Sequence, residues 1–175
     1  MRIGFLDCAS NKADAFDPFS KIAGEEVAGA SVDRLTAPDI LKVPLCAKKL
    51  FSKGSDTVIA FLTLSQDDLD PMALVHEKII DLELSAEKSV LFCIVSDDEY
   101  SDQAGFESLV QARFRTALRL ATELELSPSS VSQMIGDPKV AAELSALAGF
   151  AASMASGGEP QGASPPTGDS VHSIF

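Results

Sequence analysis

Apolar positions along the chain alternate between short continuous runs and runs with the three- and four-residue spacing of helices. The near-continuous apolar run TVIAFLTL is typical of a parallel strand that is buried on both faces. Together with three similar runs it predicts strands at residues 3–6, 32–35, 57–64 and 89–95. Helical spacing predicts helices at residues 15–27, 43–51, 71–84, 104–124 and 137–154.

The alternation of strands and helices indicates a parallel sheet with helices on both faces. Right-handed crossovers then favour a three-layer flavodoxin-like sandwich, with a four-stranded parallel sheet and an extra C-terminal helix. We therefore expect one α/β domain over residues 1–155. Residues 156–175 are rich in Ser, Gly and Pro, and we expect a disordered tail there.

Local signals predict where several helices begin and end. Asp14 is placed to cap the first helix, and Asp70 lies at or next to the N-cap of the third. Pro71 suits a first helical turn, because the N–H that it lacks is not needed there. The pair Lys53-Gly54 is typical of a helix C-terminus.

Composition and charge narrow the class of protein. A chain of 175 residues that is 46% hydrophobic and 23% charged is long enough to bury a full core. A formal net charge of −12 repels phosphate backbones and argues against a nucleic-acid partner. No apolar run approaches the roughly 20 residues that span a bilayer. The N-terminal run is interrupted at Asp7, so we expect a cytoplasmic protein without membrane contact.

The three cysteines offer little chemistry by their spacing. Cys8, Cys46 and Cys93 lie far apart and none belongs to a CxxC pair, which argues against a zinc site. We expect buried, small hydrophobic side chains. The alternative is a nucleophilic thiol at Cys8, but the sequence places neither His76 nor His172 near it as a base.

Ligands bind at the carboxyl ends of the strands in this architecture. The segments expected to form the site are therefore residues 8–12, 36–42, 63–70 and 95–99. None of them contains a dinucleotide-binding, P-loop, zincin or nucleophile-elbow motif. From the residues alone, the prediction is an α/β protein with an acidic pocket rim.

Four segments of the chain resemble motifs of one known family, in order and with similar spacing. The segment IGFLDCASNK at residues 3–12 resembles an opening strand followed by an aromatic-Asn-Arg/Lys step. The segment APDILKVPLCAKKL at residues 37–50 resembles a VPGxxD/ExPxAxKKL motif. Residues 75–77 (VHE) resemble a CAHE helix, and residues 94–99 (IVSDDE) resemble a strand end. Through these segments the chain resembles the archaeal-type riboflavin synthases of the lumazine-synthase superfamily, over about residues 2–125.

This resemblance implies a riboflavin synthase, which dismutates two molecules of 6,7-dimethyl-8-ribityllumazine, and a homo-oligomer that forms a cyclic pentamer. It implies that the reaction needs no cofactor, although a divalent cation such as Mg²⁺ is an alternative. It implies no metal site formed by protein side chains. His76 and Glu77 are the candidate catalytic residues, because an imidazole titrates near neutral pH and can move the methyl proton. The candidate substrate-binding residues are Ser10, Asn11, Asp39, Ile40, Thr63, Leu64, Asp67, Asp70, Ser96 and Arg113.

Other roles stay open for several of these residues. His76 can equally be a structural residue that faces a neighbouring subunit, and Glu77 a solvated helix charge. Arg113 and Arg115 either line the site across an interface or face solvent.

Two alternative functions stay open, one because of departures from the family pattern and one because a second enzyme belongs to the same superfamily. Asp39 stands where the family has Gly, Lys42 where it has an acidic residue, and Ser96 where it has His. A catalytically inactive, flavin-binding, ring-forming relative is one alternative. Lumazine synthase is the other, but it needs a phosphate site. The acidic run at residues 66–70 has no Gly and argues against one.

Overall fold

The structure, a computed structural model, describes residues 1–65 and 68–126 apart from the side chains of Leu69 and Leu126. Four parallel strands form one sheet in the order β2-β1-β3-β4. The strands are β1 (Arg2–Cys8), β2 (Ser31–Ala37), β3 (Thr57–Leu64) and β4 (Val90–Ser96). The helices are α1 (Phe16–Glu26), α2 (Val43–Ser52), α3 (Leu69–Ala86) and α4 (Gln103–Leu126), and a 3-10 turn, Ile40–Lys42, precedes α2.

The α/β fold predicted from the alternation is confirmed. The helix predicted at residues 137–154 and the tail predicted at residues 156–175 lie outside the described residues. None of the described helices combines the length and the apolar character that crossing a membrane requires.

Strand β3 separates two hydrophobic cores. All eight of its residues are buried. Its even-numbered residues, such as Ala60 and Leu62, pack against α2 and α3, and the odd-numbered Ile59 and Phe61 pack against α1 and α4. The second core holds a cluster of phenylalanines, in which the rings of Phe5 and Phe19 stack with their centroids 4.5 Å apart. The layers of the sandwich are therefore α1/α4, sheet and α2/α3.

Two helix starts differ from the sequence-based expectation. Ala15 is the N-cap of α1, while an Asp14 carboxylate oxygen accepts a hydrogen bond from the Phe16 N–H at 2.9 Å. Helix α3 begins two residues before Pro71, with Asp68 as its N-cap, so Asp70 lies inside the first turn. The earlier start follows from a closed turn, in which the Asp68 N–H donates to the Ser65 carbonyl oxygen at 3.2 Å.

The expected helix end at Lys53-Gly54 is confirmed. Lys53 is the C-cap of α2, and Gly54 follows with a φ of 96°, which favours glycine over residues that carry a Cβ. The three cysteines are buried and free, as expected of small hydrophobic side chains.

Glycine 4 marks the closest approach of β1 to α2, and its replacement tests the packing of the fold. A Cβ on Gly4 would lie 3.0 Å from Leu50 Cδ1 and 3.1 Å from Ser55 Oγ, so Gly4→Ala should destabilise the fold by about 1–3 kcal/mol. Gly24→Ala is the matched control, because a Cβ there meets nothing within 4 Å and should stabilise α1 by about 0.5–1 kcal/mol. Thermal denaturation of both variants checks this, and equal melting temperatures would contradict the packing described.

Candidate functional site

The loops that follow the four strands meet at the carboxyl edge of the sheet. The strand register pairs Cys8 with Ala37 and Leu64 with Ser96 at the ends of neighbouring strands. Open α/β sheets bind their ligands at this edge. Seven of the predicted binding residues lie there: Ser10, Asn11, Asp39, Ile40, Thr63, Leu64 and Ser96.

The side-chain amide of Asn11 joins the loop after β1 to the end of β3. Its Nδ2 donates to the Phe61 carbonyl oxygen at 2.9 Å, and its Oδ1 accepts from the Thr63 N–H at 2.9 Å. The Lys12 N–H also donates to Thr63 Oγ1 at 3.0 Å. Three hydrogen bonds therefore hold this loop against β3.

Arg34 forms ion pairs with carboxylates at both ends of the same loop, of which Asp7 is buried and Asp14 is exposed. Arg34 on β2 donates to Asp7 Oδ2 at 2.5 Å and to Asp14 Oδ2 at 3.0 Å, and its guanidinium carbon lies 5.0 Å from the ring centroid of Phe16. Asp7 is only 4% exposed, and its Oδ1 has no hydrogen-bond partner among the described residues. Since a buried carboxylate is costly without a partner, loss of the Arg34 side chain should destabilise the fold around Asp7.

The N–H of Phe16 and, after it, Arg34 hold the pKa of Asp14 below its ordinary value. Sequence analysis did not identify this cluster as part of the site. Its one signal was a charged residue, Asp7, inside an otherwise apolar strand.

A second group of contacts fixes the loop between β4 and α4. Lys12 Nζ lies 2.6 Å from Asp97, and this hydrogen bond raises the pKa of Lys12. Glu99 accepts from the Ser96 N–H at 2.7 Å and receives both guanidinium nitrogens of Arg113, at 2.5 and 3.1 Å. Arg113, predicted to bind substrate, is thus held by a carboxylate of its own chain.

Asp39 adopts an ordinary extended backbone, with a φ of −151°, at the place where the family pattern has Gly. Its carboxylate accepts from the Lys42 N–H at 3.2 Å and caps the 3-10 turn. Ile40 is partly buried against the core formed with α2 and α3. The local backbone therefore does not require a glycine at this position.

The predicted acidic rim is described only in part, because Asp67 lies outside the described residues. Asp68 accepts from the Ser65 N–H at 2.8 Å and from Ser65 Oγ at 2.7 Å, so it is used by the turn. Asp70 is exposed in the first turn of α3.

The two predicted catalytic residues lie away from this edge within the same chain. His76 is half-buried on α3, with its ring edge-on to Phe92 at a centroid distance of 4.8 Å, and burial lowers its pKa. Phe92 precedes the last residue of β4, Ser96, by four positions, which corresponds to about 13 Å along the strand. Glu77 is exposed and forms an ion pair with Lys78 at 2.8 Å. His76 therefore contacts β4, which is an edge strand of the sheet.

All three cysteine side chains are buried. Burial raises the pKa of Cys93 to about 12 and also raises that of Cys46. Cys8 Sγ accepts a hydrogen bond from Ser10 Oγ at 3.1 Å and is 4% exposed. Among residues 1–65 and 68–126, no group of three His, Cys, Asp or Glu side chains could hold a metal ion.

Comparison with known proteins relates the chain to one enzyme. No protein-family model matches the sequence. The chain is 26% identical over 142 residues to a curated protein named riboflavin synthase from Archaeoglobus fulgidus. The aligned region covers 78% of this chain and 90% of that relative.

Proposed function

We propose that this protein is a riboflavin synthase, which converts two molecules of 6,7-dimethyl-8-ribityllumazine into riboflavin and a ribityl-diaminopyrimidinedione. Its similarity to the archaeal enzyme over most of both chains carries the proposal. One lumazine donates a four-carbon unit to the other, and one substrate oxidises the other, so no redox cofactor is consumed. The protein must remove a proton from the C7 methyl group and hold the two rings in a reactive orientation.

Charge pairing at the carboxyl edge favours an unphosphorylated substrate. Three cations of the surrounding loop, strand and helix are already paired with carboxylates: Lys12 with Asp97, Arg34 with Asp7 and Asp14, and Arg113 with Glu99. Lys42 is a further cation near this edge and is exposed. A phosphate 4 Å from an unpaired carboxylate is repelled by about 4 kcal/mol per charge pair at an effective dielectric constant of 20.

The polar groups left for a ligand suit a ribityl chain. Asp70 is exposed at the start of α3 and can accept hydrogen bonds from ribityl hydroxyls, a role that we also assign to Asp67. The Ser10 hydroxyl lies on the exposed part of the loop after β1. We assign Ser96 and Leu64 to the neighbouring wall, because the register pairs them at the ends of β3 and β4.

We propose that His76 acts as the base for a substrate that is held by a neighbouring copy of the chain. Five large hydrophobic side chains are more than 45% exposed in the described part of the chain, and all belong to the α2/α3 layer: Leu41, Leu45, Leu74, Ile80 and Leu84. The opposite layer instead carries ion pairs between α1 and α4, such as Arg115 with Glu26 at 2.6 Å. This asymmetry supports a closed cyclic ring, for which we propose five subunits, with its contacts on the α2/α3 side.

Purified protein should make riboflavin from 6,7-dimethyl-8-ribityllumazine alone, which flavin fluorescence detects directly. It should make no lumazine from the diaminopyrimidine and 3,4-dihydroxybutanone phosphate. Asp70→Asn should raise KM for the lumazine by about tenfold, since a charge-assisted hydrogen bond contributes about 1.5–3 kcal/mol. Asp81→Asn, an exposed acidic residue further along α3, is the control and should change KM little. Efficient lumazine formation by the wild type would refute the choice of riboflavin synthase.

Acid should inactivate the enzyme through protonation of His76. Because burial lowers the pKa of this imidazole, its neutral form persists below pH 6.5, and kcat should fall only as the pH drops through that lowered pKa. Phe92→Ala exposes the ring and should move the acid limb of the profile upward toward pH 6.5. His76→Gln should lower kcat by about 10²–10⁴-fold. Full activity of His76→Gln would remove this residue from the mechanism.

Analytical ultracentrifugation should show a closed oligomer at micromolar concentration. Leu45→Glu and Ile80→Glu place charges on the exposed apolar surface of the α2/α3 layer and should dissociate it. Lys21→Glu also adds negative charge, but on the exposed side of α1, and should leave the assembly intact. A wild-type monomer, or an equal effect of the three variants, would contradict the assembly proposed.

A further inference from the structure

The side chain of Asn11 takes the place of a missing strand residue beside β3. The parallel pairing of β1 with β3 ends at Asp7 and Phe61, after which the chain turns away, with the Asn11 N–H bonded to the Cys8 carbonyl oxygen at 3.0 Å. Beyond Phe61 along β3, the next two backbone groups on this side of the strand are the Phe61 carbonyl and the Thr63 N–H, which flank Leu62. A neighbouring strand residue would normally bond both groups, and here the Asn11 amide does so at 2.9 Å each.

These two contacts engage one N–H and one carbonyl lone pair of the Asn11 amide on the protein itself. A primary amide carries the donor and the acceptor of a peptide group, so Asn is chemically suited to the position. An aspartate would lack the donor. Asn11 is also half-buried within the loop between β1 and α1. Its two contacts with β3 therefore fix the orientation of the amide.

The group that Asn11 orients is the hydroxyl of Thr63. Thr63 is 8% exposed, its N–H is bonded to Asn11, and its Oγ1 accepts the Lys12 N–H at 3.0 Å. With one lone pair occupied by that N–H, the hydroxyl proton can be donated to a second acceptor. A carbonyl oxygen or ring nitrogen of a pyrimidinedione is an acceptor of this kind.

We propose that Asn11 is a positioning residue, which completes the β3 hydrogen-bond ladder and thereby aims the Thr63 hydroxyl at an acceptor atom of the substrate heterocycle. The inference rests on the proposed function for the identity of the heterocycle. The position of the hydroxyl rests only on the contacts given above.

If Asn11 has this role, the stability of the Asn11→Asp variant should depend on pH. Ionised aspartate keeps the acceptor for the Thr63 N–H but turns a negative oxygen toward the Phe61 carbonyl. Protonated aspartic acid restores a donor. The folded state therefore prefers the protonated acid, and its pKa rises above the roughly 3.9 of the unfolded chain. Stability is retained at low pH and is lost as the pH rises through the raised pKa.

The experiment compares Asn11→Asp, Asn11→Ala and Gln111→Glu with the wild type between pH 4.5 and 8. Gln111→Glu adds the same charge at an exposed position of α4 and should follow the wild-type melting curve. Asn11→Ala should melt several degrees lower at every pH. Asn11→Asp should approach the wild type at the acid end and fall to or below Asn11→Ala at pH 8. If Asn11→Asp is unfolded at pH 8, refolding on acidification gives the same expected result.

Two further readouts separate positioning from a purely structural role and from direct contact. Amide hydrogen exchange at Thr63 should accelerate at least tenfold in Asn11→Asp at pH 8 relative to Gln111→Glu. KM for the lumazine should rise about tenfold at high pH and recover on acidification, with kcat changed much less. An altered KM with wild-type melting and exchange would indicate direct ligand contact and overturn the proposal, as would pH-dependent melting with an unchanged KM.

The melting and exchange measurements need no substrate. An inactive wild type would therefore refute the proposed function while leaving the ladder role of Asn11 under test. A melting curve of Asn11→Asp that parallels Gln111→Glu at every pH would refute that role even if the enzyme makes riboflavin.

Discussion

Burial of β3 on both faces is the constraint on which the rest of the structure depends. All eight residues of Thr57–Leu64 are buried, and the strand contributes to both hydrophobic cores. No water can reach a strand in this position to satisfy its backbone, so every N–H and C=O needs a partner within the protein. Neighbouring strands supply the partners along most of its length. At the carboxyl end, where β1 has already turned away, the Asn11 side chain supplies them.

This constraint links the fold to the candidate site. The loop that must satisfy the end of β3 also carries Ser10 and Lys12, so the demand for buried hydrogen bonds fixes polar groups at the carboxyl edge. Arg34 pairs with carboxylates at both ends of that loop, and Lys12 joins it to the loop after β4. An edge at which Lys12, Arg34 and Arg113 are already paired suits a neutral ligand that must be oriented, which is what the proposed dismutation requires.

The sequence was informative where burial alone decides structure. The continuous run TVIAFLTL predicted β3 with its observed bounds, and the alternation of elements predicted the parallel sheet. Contacts between distant segments were not predictable, because pairs such as Asn11 with Thr63 or Asp7 with Arg34 depend on register and loop path. The position of His76 was also beyond pattern reasoning. Helical spacing placed it on α3, but only the packing of α3 across the sheet sets it against Phe92.

The central claim is that a lumazine or flavin ring binds at the carboxyl edge of the sheet, against the end of β3 that Asn11 completes. A crystal structure of the protein with bound riboflavin tests it most directly. The account predicts the ring system beside the loop after β1, with a carbonyl oxygen or ring nitrogen within hydrogen-bond distance of Thr63 Oγ1. A ring bound elsewhere, or Asn11 released from Phe61 and Thr63 to contact the ligand, would contradict it.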